Sequence, residues 1–182
     1  LLPLLDQISP LARQVGAATT LYWNGDRLCG ENTDVAGFMA PLADMPLDGA
    51  DVLRLGAGGA ARAVAAGLAS PDNAKRPARI FVATPSDKSH LPLAEEFGLT
   101  PLLWRDRHEP SALLVVNTTP LGMRGKAEDD TPYDFSQAAP LSAEGAAKAT
   151  PIAYDIVYNP LETRFLREAR AAGRCCISAL ET

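Results

Sequence analysis

The 182-residue sequence is poor in the features that mark several large classes of protein. Its three cysteines, Cys29, Cys175 and Cys176, show neither metal-ligand spacing nor the even count of a disulfide framework. We read them as reduced thiols. No run approaches the ~20 apolar residues of a membrane helix, and the first residues lack the basic leader of a signal peptide. We therefore expect a cytoplasmic protein without a membrane partner.

A basic tract is also missing. Acidic residues outnumber basic ones by 22 to 17, the net charge is −5, and the basic residues are scattered. Nucleic-acid binding relies on clustered Lys and Arg, so we expect no nucleic-acid partner. His90 and His108 are isolated, which predicts two surface residues and no metal site. Composition leaves the oligomeric state open.

The chain has no starting methionine and opens in the middle of an apolar pattern, Leu1 to Leu5. We therefore expect a fragment of a longer protein. Its length suits one ordinary domain with a little left over.

Strand-like and helix-like segments alternate after residue 50. This alternation predicts βαβ units around a parallel sheet, and short apolar strands are typical of a sheet covered on both faces. The fold class is therefore α/β, with a doubly wound parallel sheet. The expected strands are 51–55, 79–83, 112–116, 152–157 and 175–178, and the expected helices are 60–69, 88–97 and 162–172, with mostly loop over 124–149.

The pattern before residue 50 is different. Residues 4–15 have loosely helical spacing, and Ser9-Pro10 is typical of a helix N-cap and first position. Residues 19–30 predict a hairpin with Asn24-Gly25 in a type I′ turn. We expect a domain boundary within residues 34–50.

The segment Asn32-Thr33-Asp34 lies close to that boundary. Ligand clefts favour such junctions, and a carboxylate there is a candidate to orient a substrate hydroxyl or to pair with a general acid. Spacing alone favours a plainer interpretation, in which Thr33 or Asp34 caps the helix that follows.

The strongest local signal is the loop Gly56-Ala57-Gly58-Gly59-Ala60-Ala61, between a strand and a helix. It matches G-x-G-x-x-A, in which small residues let the backbone approach a pyrophosphate and the helix N-terminus supplies N–H donors. A tight turn without a ligand is the alternative. The flanking strand and helix favour dinucleotide binding.

The end of the second strand indicates which nucleotide is bound. An NAD site usually has Asp or Glu at this tip to accept from the ribose 2′-hydroxyl, whereas this strand continues as Ala83-Thr84-Pro85-Ser86. Thr84, Ser86 and Lys88 are candidate ligands of a 2′-phosphate, which tilts the prediction towards NADP. The alternative for Lys88 is a solvated residue at a helix start.

Two further polar clusters follow strands, Asn117-Thr118-Thr119-Pro120 and Tyr154 to Pro160. Open α/β sheets bind ligands at the carboxyl ends of their strands, so Thr118 and Tyr158 are candidates, Tyr158 as a donor to a substrate carboxylate. The alternatives are an ordinary turn and a tyrosine packed at the sheet edge.

Five segments, taken in order, resemble the shikimate/quinate dehydrogenase family. Each is modest alone, but five in order are specific, and they span nearly the whole chain. The segments are Gly16 to Leu21, Gly30 to Asp34 with Gly37-Phe38, Leu55 to Ala63, Asn117 to Met123, and Tyr154 to Thr163.

The resemblance implies an NADPH-dependent dehydrogenase that reduces 3-dehydroshikimate to shikimate in aromatic amino-acid biosynthesis. It also implies a Rossmann-like nucleotide domain joined to an α/β substrate domain across a cleft. Residues 1–33 would be the C-terminal part of the substrate-binding domain, residues 34–178 the NADP-binding domain, and residues 179–182 the start of a truncated C-terminal return segment.

The resemblance carries roles onto particular residues. Asp34 matches the Asp of a Lys–Asp pair at the reacting oxygen, and Thr19 and Tyr158 match substrate-contacting positions. Cofactor positions are matched by Gly56, Ala57, Gly58, Gly59 and Ala60 at the pyrophosphate, by Thr84, Ser86 and Lys88 at the 2′-phosphate, and by Thr118, with Ile156 and Ala179 at the nicotinamide.

Departures from the family pattern leave alternatives open. The segment that carries the family's catalytic Lys is absent, so we expect negligible turnover from this chain alone. The family's Arg after the second strand is also absent, and the lone Lys88 is weaker than an Arg–phosphate fork, which fits an NAD-preferring quinate/shikimate dehydrogenase. Three further departures fit a non-catalytic nucleotide-binding remnant. Thr19 replaces the family's Asn, Ala179 replaces its Gly, and Arg54 lies in a strand that should be buried.

Overall fold

A computed structural model describes residues 2–71, 73–141 and 149–181, which form two sheets. Residues 142–148, within the stretch expected to be mostly loop, lie outside the described residues. The described part of that stretch is irregular apart from a 3-10 turn at Phe135–Gln137. No helix in these ranges is long and apolar enough to cross a bilayer.

The smaller sheet has three strands in the order β1-β3-β2. Strand β1 (Gln7–Ile8) runs parallel to β3 (Arg27–Glu31), and β2 (Thr20–Asn24) runs antiparallel to β3. The hairpin prediction is therefore confirmed, whereas the short strand β1 was not foreseen.

The turn type of this hairpin was predicted wrongly. Asn24 pairs with Arg27, so the two turn residues are Gly25 and Asp26. Gly25 has φ 62°, and Asp26 is not among the non-glycine residues with positive φ. Positive φ at the first turn position alone defines type II′, in which glycine takes that position.

The larger sheet has six parallel strands in the order β6-β5-β4-β7-β8-β9. The strand order reverses between β4 and β7, and such a switch point is where open α/β sheets bind ligands. The predicted α/β fold with a parallel sheet is confirmed. The strands are β4 (Asp51–Leu55), β5 (Arg79–Ala83), β6 (Thr100–Leu102), β7 (Leu114–Asn117), β8 (Ile152–Asp155) and β9 (Cys175–Ile177).

Helices cover both faces of this sheet, so the doubly wound arrangement is confirmed. Phe38, Val64 and Leu93 belong to the core on one face, and Phe165 to the core on the other. Burying each such side chain contributes about 1.5–3 kcal/mol. The helices are α1 (Pro10–Val15), α2 (Asp34–Met39), α3 (Gly59–Ala69), α4 (Leu91–Phe97) and α5 (Arg164–Ala171).

Side chains near the helix starts explain where two helices begin. Ser9 accepts a hydrogen bond from the amide of Ala12 at 3.2 Å, with Pro10 at the first position of α1 as predicted. Neither Thr33 nor Asp34 caps α2, because Asn32 Oδ1 accepts from the amide of Val35 at 3.3 Å.

Helix α4 begins three residues later than predicted, at Leu91. The residues before it form a turn in which Asp87 has φ 54°, a left-handed conformation that a helix cannot contain. Residues 88–90 continue this turn, with His90 at the N-cap position and Pro92 in the first turn of the helix, so Lys88 precedes the helix rather than beginning it.

Helix α2 packs closely on α3 at Gly67. A Cβ on Gly67 would lie 2.8 Å from Met39 Cγ and 3.3 Å from Val35 Cγ1. The missing side chain lets the two helices approach, which attaches the helix that carries Asp34 to the helix that starts at the glycine loop.

Candidate functional site

The glycine loop is shaped by its contact with the end of β7. Gly56 has φ 111°, and a Cβ there would lie 2.6 Å from Thr118 Oγ1 and 2.9 Å from the Thr118 backbone. Thr118 in turn donates from its hydroxyl to the carbonyl of Leu55 at 2.7 Å. Only glycine satisfies both the conformation and the close approach.

The other side of the loop is open. A Cβ on Gly58 or Gly59 would meet no atom within 4 Å. Helix α3 starts at Gly59 and receives no side-chain cap at Gly58. Amide groups of an uncapped helix start are suited to bind an anion.

A cavity of about 470 Å³ lies over this loop. Six of the predicted cofactor residues line it, so the switch point brings them together as expected. Ser89 also lines it, although sequence reasoning did not single that residue out. The predicted lining residues are Gly56, Ala57, Gly58, Thr84, Ser86 and Thr118, and the others are Pro85, Ser89, Thr119, Pro120 and Leu121.

The wall at the end of β5 is a network of neutral polar groups. Thr84 Oγ1 lies 2.7 Å from His90 Nδ1 and accepts from the hydroxyl of Ser89 at 3.1 Å. Ser86 Oγ accepts from the amides of Ser89 and Lys88 at 3.1 and 3.4 Å. The Lys88 side chain is exposed and is not on the cavity lining.

His90 is 1% exposed, so the prediction that it lies at the surface is wrong. Burial lowers its pKa, opposed by nearby Asp87 and reinforced by Arg54. The ring is therefore neutral at neutral pH and holds the Thr84 hydroxyl. His108 is half-buried rather than exposed, since its Nε2 accepts from the amide of Asp134 at 3.0 Å.

Arg54 is completely buried in β4, between Val82 and Val116 of the neighbouring strands. Its Nε, Nη1 and Nη2 atoms have no hydrogen-bond partner in the described part of the chain. Burial lowers its pKa to about 9, so the guanidinium remains protonated at neutral pH.

A second cavity of about 470 Å³ lies beside Asp34. It is lined by the first turns of α2 and α3 together with Ile156, which directly follows β8. Asp34, Ala60 and Ile156 were predicted site residues. Within the ranges that the structure describes, no lysine lines this cavity. The lining residues are Thr33, Asp34, Gly37, Phe38, Ala60, Ala63, Val64 and Ile156.

Thr19 lies beside the residue that precedes Asp34. Its hydroxyl accepts from the amide of Thr33 at 2.9 Å and lies 3.2 Å from the Thr33 hydroxyl. The structure thus brings the predicted substrate residues Thr19 and Asp34 to the same end of α2.

Other predicted site residues lie outside both linings. Tyr158, three residues beyond β8, is 69% exposed. Ala179 begins the 3-10 turn after β9, and Gly59 is the first residue of α3. Ala179 and Tyr158 follow strands at their carboxyl ends, but neither lines either cavity.

A buried carboxylate that sequence reasoning missed holds two strand ends together. Asp155 accepts from Asn117 Nδ2 and the amide of Val157, both at 3.0 Å, and from the Thr163 hydroxyl at 2.5 Å. Burial raises its pKa to about 6, against the effect of these three donors. Its contacts fix the backbone just before Thr118 and Ile156.

Among the described residues, no cluster of His, Cys, Asp and Glu is arranged to hold a metal ion. The groups that the two cavities offer to a ligand are an open helix start, hydroxyl groups along a groove, and a carboxylate beside an apolar cavity.

Comparison with known proteins identifies consistent relatives. No family model matches the chain. A shikimate dehydrogenase (NADP(+)) of Pelobacter propionicus is 49% identical over 183 residues, which cover 100% of this chain and 62% of that protein. The chain therefore spans less than two thirds of the length of this relative.

Solved structures agree with the sequence match. Shikimate 5-dehydrogenase from Thermus thermophilus in complex with NADP(H) and shikimate superposes with a TM-score of 0.79 at 36% identity, over 99% of this chain and 62% of that one. Quinate dehydrogenase from Corynebacterium glutamicum in complex with NAD gives 0.79 at 31% identity, over 99% and 63%.

Proposed function

Because this chain belongs by sequence and fold to the shikimate dehydrogenase family, we propose that it is the dinucleotide-binding part of an NADPH-dependent enzyme that reduces 3-dehydroshikimate to shikimate. The partners are then small molecules in the cytoplasm, without nucleic acid or membrane. The observation that carries the proposal is the glycine loop at the switch point, where Gly58 and Gly59 leave the start of α3 open.

The residues present fit a dinucleotide. A side chain at Gly58 would enter the space above the loop, because no atom of the described residues other than its chain neighbours lies within 4 Å of that position. Pyrophosphate oxygens would accept from the first amides of α3. Thr84 and Ser86 would bind the ribose end of the nucleotide, and Thr118 lines the groove between, whereas Lys88 does not line this cavity.

The substrate end of the site has a different character. Bound NADPH supplies the hydride. Ile156 and Ala179 would lie against the nicotinamide ring. The carboxylate of Asp34 would orient the reacting oxygen in the cavity between α2 and α3. Thr19 and Tyr158 would donate hydrogen bonds to the substrate. A missing general acid or base costs typically about 10²–10⁴-fold in rate.

Two glycine substitutions test the dinucleotide site. Gly58 has φ −76°, which alanine adopts without strain, so Gly58→Ala should keep the unfolding temperature and weaken NADP⁺ binding at least ten-fold. Gly56→Ala should instead destabilise the fold, because its Cβ would overlap Thr118. Calorimetric titration and thermal unfolding measure both effects. Unchanged NADP⁺ affinity in Gly58→Ala would contradict the proposal.

An NAD-preferring quinate/shikimate dehydrogenase is the second candidate. It is favoured by the neutral wall of Thr84, Ser86 and Ser89. The quinate dehydrogenase solved with NAD also superposes on this chain with the same TM-score, 0.79, as the shikimate dehydrogenase solved with NADP(H). Titration of the unmodified chain with NAD⁺ and NADP⁺ separates the candidates. Tighter NAD⁺ binding supports the second, and binding of neither would indicate a fragment too damaged to act.

A further inference from the structure

Arg54 is a buried charge that the described protein leaves without a counter-charge. It is 0% exposed, and all three guanidinium nitrogens lack a partner there. Burial lowers its pKa, and no carboxylate of the described residues opposes that effect. An unpaired buried charge costs several kcal/mol of stability. Its position therefore needs an explanation other than packing.

The guanidinium lies behind one wall of the nucleotide cavity. Arg54 is two residues before Gly56 and shares the α3 side of the sheet with Val82 and Val116. It is close enough to His90 to lower the pKa of that ring. His90 in turn contacts Thr84, whose hydroxyl lines the cavity.

That wall has no cation in contact with the cavity. Thr84, Ser86 and Ser89 are neutral, and the exposed Lys88 side chain is not part of the described lining. The nearest acid in the turn, Asp87, accepts from the amide of Trp104 at 2.5 Å. The ribose end of a dinucleotide lies at this strand tip in the fold, so a 2′-phosphate there would meet hydroxyls but no contacting cation.

We propose that Arg54 is the buried counter-charge for the phosphates of the bound dinucleotide, and that its place behind Thr84 makes the site favour NADP⁺ over NAD⁺. The inference rests on the proposed function. Arg54 acts through space, without touching the ligand. Low-dielectric surroundings preserve such an interaction, which surface charges lose to solvent and salt. The 2′-phosphate carries more charge than the hydroxyl it replaces and therefore gains more.

Arg54→Met separates this role from a purely structural one. Methionine matches the volume and removes the charge, so the unfolding temperature should rise by roughly 3 °C or more. Affinity for NADP⁺ should fall about ten-fold, and affinity for NAD⁺ by clearly less. If Arg54 only destabilises the core and has no role in binding, Arg54→Met would raise the unfolding temperature and leave both affinities unchanged.

Two further variants control the experiment. Arg105→Met removes a guanidinium whose side chain is 81% exposed, and it should change neither stability nor affinity. Arg54→Lys keeps the charge and should retain the NADP⁺ preference.

The titrations of the unmodified chain and of Arg54→Met distinguish failure of this inference from failure of the proposed function. If the unmodified chain binds NADP⁺ and Arg54→Met binds it equally well, this inference fails and the proposed function stands. Equal losses for both dinucleotides would support the counter-charge and overturn its role in the NADP⁺ preference. If the unmodified chain binds neither dinucleotide, the proposed function and this inference both fail.

Discussion

Asp155 shows how a single side chain shapes the proposed site without lining it. Its carboxylate joins the end of β7, through Asn117, to the N-cap residue of α5, Thr163. The same oxygen that accepts from Asn117 accepts from the amide of Val157. Three elements are thus held at one buried point, and the loops that carry Thr118 and Ile156 start from it.

Replacing Asp155 with Asn should destabilise the protein by about 1–3 kcal/mol, because the buried Thr163 hydroxyl loses its acceptor. Urea unfolding measures the change. Asp129→Asn is the control: the Asp129 side chain is exposed and should matter by less than about 0.5 kcal/mol. Equal effects of the two substitutions would show that the Asp155 network contributes nothing.

The pH dependence of stability should carry the signature of the same carboxyl. Burial raises the Asp155 pKa from 3.8 to about 6. Between these values the folded state binds more protons than the unfolded state, so this group lowers the free energy of unfolding as the pH rises from about 4 to about 6. The difference between wild type and Asp155→Asn isolates it, since the histidines are common to both. A difference independent of pH would refute the assignment.

Sequence reasoning located single residues where strand ends dictate their place. Thr84, Ser86 and Thr118 follow parallel strands and therefore meet at one edge, as predicted. It failed for His90, whose burial comes from a side-chain contact with Thr84 that no periodic pattern encodes. It also missed Asp155, because its partners come from three separate segments.

At the scale of elements, helices α2 and α3 pack closely at Gly67. Gly67→Val would place a branched side chain against Met39 and Val35, and overpacking of this kind costs about 1–3 kcal/mol. Gly67→Ala should cost less, because Met39 is flexible and alanine favours the helix by about 1 kcal/mol. Thermal unfolding of the pair tests this order. A Gly67→Val protein as stable as wild type would show that the helices are not tightly packed.

Element prediction succeeded for five strands of the larger sheet and missed the two short strands β1 and β6. Strands β4, β5, β7, β8 and β9 were foreseen to within one or two residues, and all of them except the edge strand β9 are mostly buried in the sheet. Strand β1 has two residues, and β6 has three, including Pro101. Proline lacks a ladder donor and is tolerated here because β6 lies at the edge of the sheet.

At the scale of the whole molecule, the three-strand sheet exposes an apolar edge. On β2, Leu21, Tyr22 and Trp23 are 45%, 42% and 69% exposed. Exposed apolar edge strands favour self-association. Trp23→Lys should therefore reduce self-association of the 182-residue chain in sedimentation experiments, with dinucleotide affinity unchanged because the glycine loop belongs to the other sheet. Loss of affinity would show that the two sheets depend on each other.

The 182-residue chain should bind dinucleotide and turn over negligibly. Among the described residues, Asp34 has no lysine beside it in the cavity, and general acid–base catalysis contributes about 10²–10⁴-fold. NADPH consumption with 3-dehydroshikimate is the measurement, and titration of the same sample with NADP⁺ is its control. A clear NADPH-dependent rate would overturn this expectation.

Helix α3 also fixes the position of Asp34 relative to the glycine loop. Its first turn begins at the glycine loop, and Ala60, Ala63 and Val64 on it share a cavity with Asp34. Gly67 on the same helix holds α2 in place. The position of the carboxylate relative to the phosphate end of the site is therefore set by the part of α3 between Gly59 and Gly67. Changes in the loop between residues 43 and 50 should leave that relative position intact, whereas inserting one residue into α3 would rotate and displace Asp34 relative to the glycine loop.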